Sequence, residues 1–146
     1  MKKTFSFLFV ILSFSLIAQK NPTISDYTTA IRLDPDAKVY NNRGNAYSDL
    51  GEYNTAISDY TTAIRLDPDY ADAYSNRGNA YSDLGEYNTA IADYTTAIRL
   101  APDLADAYGG RGIAKESAGL PYCSDYKKGC ELGYNNSCEW YNDRCR

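Results

Sequence analysis

The side chains best equipped for chemistry in this 146-residue chain are its four cysteines, Cys123, Cys130, Cys138 and Cys145, all gathered near the C-terminus. Four thiolates can hold a zinc ion, but structural zinc sites draw on close Cys pairs a few residues apart, and these gaps are wider. A dithiol redox centre uses Cys-x-x-Cys, which is absent. Covalent pairing fits the spacing best. If residues 121–132 and 136–144 form two helices joined at Gly133-Tyr134, then Cys123 and Cys130 stand two turns apart on one helix face, as do Cys138 and Cys145 on the other. Facing residues of an antiparallel hairpin share a constant index sum, and Cys130/Cys138 has the same sum as Cys123/Cys145. One register therefore predicts both disulfides, with metal binding and free or intermolecular thiols as the competing readings.

Other chemistry finds little support. Histidine is absent, which removes the usual proton carrier near neutral pH, together with Ser-His-Asp and Cys-His arrangements and His-ligated metals. The carboxylates of Asp59 and Asp93 recur in register with a repeat, which marks them as parts of a scaffold rather than a unique acid/base pair. The expectation is a chain that is not an enzyme and uses no cofactor or metal. With 44% hydrophobic and 23% charged residues, the composition suits a globular fold and excludes a wholly disordered or multi-span membrane chain.

The elements that would position these residues are written twice. Residues 37–70 and 71–104 match except at Lys38/Asp72, Val39/Ala73, Asn41/Ser75, Ser58/Ala92, Asp67/Ala101 and Tyr70/Leu104. The stretch from Ile24 to Pro35 reproduces Ile57 to Pro68, and a third copy starts at Ala105 and then degenerates. Tyr40, Gly44 and Tyr47 recur at helical spacing, as do Ala56, Tyr60, Ala63 and Ile64, so each unit reads as two short amphipathic helices. Gly51 suits the left-handed turn that closes the first helix, and Pro68 ends the second. A single hairpin of this kind buries only part of its apolar face, and stacking buries the rest.

Upstream, Lys2 and Lys3 precede an apolar run from Phe5 to Ala18, the pattern of a signal peptide cut after Ala18, with an uncleaved anchor helix as the competing reading. The run is short for a membrane span, and export, to the periplasm or outside the cell, follows as the expected localisation, with no membrane insertion after cleavage. Losing Lys2 and Lys3 would make an already acidic chain, net charge −4, more acidic still, which gives it no attraction to nucleic acid. The organisation read from the sequence is a signal peptide at 1–18, a partial repeat at 19–36, full repeats at 37–70 and 71–104, a degenerate repeat at 105–133 and a capping helix at 134–146.

The unit resembles the tetratricopeptide repeat, a roughly 34-residue helix-turn-helix with spaced aromatics, Gly, Ala and a final Pro. The residues that carry the resemblance are Tyr40, Gly44, Tyr47, Ala56, Tyr60, Ala63 and Pro68, then Tyr74, Gly78, Tyr81, Ala90, Tyr94, Ala97 and Pro102. Arg43 and Arg77 stand where the family usually has Leu, with their stems expected to snorkel. The run from Lys128 to Cys138 is similar to the cysteine-stapled hairpins of Sel1-like repeats. The resemblance implies an all-α fold, a TPR-type α-solenoid of stacked antiparallel hairpins, whose first helices line a concave face that binds a protein or peptide partner. Lys38, Asn41, Asn42, Asn45 and Asp49, with Asp72, Ser75, Asn76, Asn79 and Asp83, are then the exposed candidates. Asn42, Asn45, Asn76 and Asn79 are preferred, because a carboxamide both donates to and accepts from a peptide bond. The clamp that some TPR proteins use for C-terminal carboxylates is not expected: Asn41 replaces a Lys, and Asp106 and Gly110 stand where cations belong. A self-associating structural protein is the alternative, because the half-repeat leaves an apolar edge for a second copy.

Overall fold

The computed structural model describes residues 22–146, and the segment read as a signal peptide lies outside the described residues. Among the described residues eight helices follow one another: α1 (Ile24–Leu33), α2 (Ala37–Asp49), α3 (Tyr53–Leu66), α4 (Ala71–Asp83), α5 (Tyr87–Leu100), α6 (Ala105–Ser117), α7 (Cys123–Glu131) and α8 (Asn135–Arg144). Each helix packs on its chain neighbour, and α4 also meets α2 and α6, so the first helices of successive hairpins form one layer. This is the all-α, TPR-type solenoid.

Local chemistry sets the helix ends. Thr23 and Asp26 form a capping box at the start of α1, and the Asp36 side chain accepts from the Lys38 N–H at 2.8 Å to open α2. The turns after α2, α4, α6 and α7 each place a glycine at positive φ, 75° at Gly51, 79° at Gly85, 71° at Gly119 and 93° at Gly133. Only glycine reaches that region without a steric cost, so the hairpins share one turn geometry. The third hairpin differs from the expected one in a detail. Pro121 precedes α7 rather than opening it, because Tyr122 takes the non-helical capping position.

Tyrosine packed on glycine and alanine forms the core. Ala56, Ala63, Ala90 and Ala97 are fully buried, with Tyr60 and Tyr94 beside them at 2% and 1% exposure. A Cβ on Gly44 would lie 2.6 Å from the Tyr60 ring and one on Gly112 2.5 Å from that of Tyr126, so glycine is what lets the rings seat between helices. Gly109 and Gly110, which weaken a helix by propensity, serve the same end: their Cβ atoms would lie 2.5 Å from the Tyr134 ring and 2.6 Å from the Tyr94 ring. The close approach of neighbouring tyrosines outweighs helix propensity here.

The C-terminal hairpin is stapled twice. Cys123 is bonded to Cys145 and Cys130 to Cys138, with Cα separations of 5.7 Å and 4.6 Å. These are the two pairs that share one hairpin register. Trp140 packs against Tyr126 and Tyr134 at ring separations of 5.3 Å and 6.0 Å, so α8 covers the end of the stack.

Candidate functional site

Each hairpin is locked by an ion pair that the repeat writes again and again. The Arg43 guanidinium donates to both carboxylate oxygens of Asp59 at 2.7 Å and to the Thr28 hydroxyl of α1 at 3.1 Å. Arg77 does the same with Asp93, at 2.7 and 2.8 Å, and with Thr61 at 3.1 Å. Arg111 pairs with Asp125 and reaches Thr95 at 3.2 Å. These arginines do not snorkel to water. Their planar forks match a carboxylate in two-point geometry, and each lies over a tyrosine, Tyr40, Tyr74 or Tyr108, with 5.6 Å to the ring. The hydrogen bond to the carboxylate raises Arg43 and Arg77 above the ordinary arginine value, against the opposing effect of burial. Lys115, standing where earlier repeats have Tyr47 and Tyr81, joins the last pair at 2.8 Å from Asp125. The sequence reading missed Asp125, although the tripeptide Ser/Ala-Asp-Tyr, with its Asp at 26, 59 and 93 and again at 125, marks it.

With the arginines tied between hairpins, the inner face presents amides, hydroxyls and carboxylates. Three recesses with shared walls follow one another along it: Tyr27 with Asn42, Asn45 and Asp49; then Asn45, Ser48, Asp49, Tyr60, Asn76 and Asn79; then Asn79, Asp83, Tyr94, Asp106 and Tyr134. Asn45 Oδ1 accepts from the Tyr60 hydroxyl at 2.8 Å, and Asn79 Oδ1 from the Tyr94 hydroxyl at 2.6 Å. These bonds fix both carboxamides so that their NH2 groups remain as donors. Burial pushes the Tyr60 hydroxyl up to about 12, with Asp49 and Asp59 adding to the shift, and raises that of Tyr94 further.

Of the residues named from the sequence, Asn42, Asn79, Lys38 and Asp72 are exposed, while Asn45 and Asn76 are half-buried at the recess walls. Asn41 is a correction. It is 4% exposed and accepts from Asn76 Nδ2 at 3.0 Å, and its counterpart Ser75 is 2% exposed. Asn41 lies three residues before Gly44, on the face packed against the next repeat, and the small residues Ser75 and Gly109 at its equivalent positions were the signal for this. Among the described residues, no group of three or more Cys, Asp or Glu side chains is arranged to hold a metal, and no helix is long and apolar enough to cross a membrane.

Comparison with known proteins agrees with this architecture. The family models described as TPR repeat and tetratricopeptide repeat match residues 44–85 and 71–104. Among solved structures, the crystal structure of MamA is similar at 31% identity and TM-score 0.70, covering 79% of this chain and 69% of that one. The first TPR of Spaghetti (RPAP3) bound to the HSP90 peptide SRMEEVD is 29% identical at TM-score 0.70, over 73% of this chain and 90% of that one. The first TPR domain of human RPAP3 is 30% identical at TM-score 0.69, covering 73% of this chain and 87% of that one. Among curated proteins, none matches. Repeat period, stacked hairpins and these similarities agree, and the chain belongs to the tetratricopeptide repeat family.

Proposed function

We propose that the protein is an interaction scaffold that holds an extended segment of a protein partner along its inner face, through Asn42, Asn45, Asn76 and Asn79. One observation carries the reading: three of these carboxamides, Asn45, Asn76 and Asn79, are oriented by the protein before any ligand arrives. Asn45 and Asn79 have their oxygens engaged by tyrosine hydroxyls and keep their NH2 groups, while Asn76 donates to Asn41 and keeps its oxygen. Donors and an acceptor thus alternate along the groove, as the C=O and N–H groups of an extended peptide require. Preorganisation of this kind lowers the entropy cost of binding. Lys38 and Asp72, at equivalent first-turn positions of α2 and α4, differ in charge and would set which side chains are accepted at each end. The related RPAP3 domain bound to a peptide supports the same kind of role. Two disulfides fit an exported protein, periplasmic or secreted, because such bonds persist in oxidising compartments.

The test is crosslinking capture of partners from the native envelope, with the protein and with Asn42, Asn45, Asn76 and Asn79 all changed to Ala. Equal recovery by the two would move the binding surface elsewhere. A second reading, self-association, is favoured by α1: none of its residues is buried and Leu33 is 78% exposed, whereas the equivalent α3 buries Ala56, Asp59, Tyr60 and Ala63. Light scattering separates the two readings, a monomer at all concentrations counting against assembly.

A further inference from the structure

We infer that the last recess of the groove receives a basic side chain, a lysine or arginine of the bound segment. The inference rests on the peptide-binding reading above and adds to it the charge of the ligand. The recess, about 480 Å³, is walled by Asn79 and Asp83 of α4, Tyr94 of α5, Asp106, Gly110 and Ile113 of α6, and Tyr134. It differs from the one before it by substitutions that share a direction. Gly110 and Ile113 stand where α4 has Asn76 and Asn79, so two amides give way to a bare backbone and an aliphatic side chain. The buried Tyr94 ring then lies directly against the Gly110 backbone and closes the floor, while the half-buried Tyr134 supplies the aromatic wall. Rings and an isoleucine suit the methylene stem of a long side chain, and carboxylates suit a cationic tip.

Charge complementarity decides the sign. Two carboxylates line the recess, and no lysine or arginine does. The nearby arginines are not free to swing in, since Arg77 and Arg111 are each held in two-point pairs by Asp93 and Asp125. Asp83 is partly stripped of water, which holds its carboxyl above its ordinary value. A cation arriving from a ligand would supply the counter-charge that the protein does not. The HSP90 peptide SRMEEVD bound by the related RPAP3 domain has three acidic residues and one basic one, the reverse of what this recess accommodates.

The test uses three fluorescein-labelled peptides of alternating serine with lysine, glutamine or glutamate, titrated into the disulfide-bonded protein by fluorescence anisotropy. The lysine peptide is expected to bind at least about tenfold more tightly than the glutamine peptide, and D83N/D106N to abolish that preference, as the loss of charge-assisted contacts implies. The control D69N/D103N removes equal charge from exposed turns and is expected to retain the preference. Circular dichroism establishes that both variants are folded. Equal binding of the lysine and glutamine peptides overturns the inference while leaving the groove as a peptide site. Equal loss in both variants also overturns it, since the preference would then be general attraction to an acidic protein. Binding of none of the three peptides overturns the inference and the peptide-binding reading together.

Discussion

At the scale of single residues, the fold turns on glycines that admit tyrosine rings. Gly44→Ala puts a methyl 2.6 Å from the Tyr60 ring, and the ring is held by Asn45, so overpacking is expected to cost about 1–3 kcal/mol in urea unfolding. The same ring gives a pH signature. Tyr60 has its hydroxyl raised from 10.0 to about 12 in the folded protein, so the folded state keeps this proton longer than the unfolded chain does. The stability this provides is fully present below pH 10 and is lost as pH rises toward 12. Chemical denaturation from pH 9 to 12 should show a falling midpoint, and Tyr60→Phe should flatten the fall. The glycines and tyrosines were legible in the sequence because their helical spacing survives in each copy. Asn41 was misread as exposed because an amide looks like a surface residue until its packing against the next repeat is known.

At the scale of helices, the Arg–Asp–Thr contacts hold each hairpin shut and fasten it to the helix before. Asp93→Asn leaves the Arg77 charge without its partner in a site where the side chain is 17% exposed, at an expected cost of about 3 kcal/mol by thermal unfolding. An exposed carboxylate such as Asp103 should tolerate the same change. This network was hidden from sequence reasoning for a physical reason. Its members sit on three different helices, so the period shows Asp59 and Asp93 recurring without showing what they face, and in the third hairpin the Asp falls 14 residues after its Arg instead of 16. The cysteine pairing was legible because two helices joined by one turn fix a register by counting alone. Changing Cys123 and Cys145 to Ser is expected to cost about 2–4 kcal/mol. Hydrogen exchange should locate the loss in α7 and α8, with α2 to α5 little affected.

At the scale of the whole molecule, stability accumulates joint by joint along the stack, as in other repeat proteins. Inserting a further copy of residues 71–104 after Leu104 should raise the melting temperature by at least the roughly 4 °C that 1 kcal/mol gives a domain of this size. The repeating unit was plain in the sequence, but the change toward Gly110 and Ile113 had meaning only once Tyr94 and Tyr134 were seen beside them. The backward reach of each arginine to a threonine of the preceding helix has one more consequence. Because every internal junction asks for the same two groups, a 34-residue block can be gained or lost between the near-identical repeats without any junction needing redesign. The interior is interchangeable, so descendants of such a chain can differ in reach, one module at a time, while inheriting the same doubly stapled hairpin.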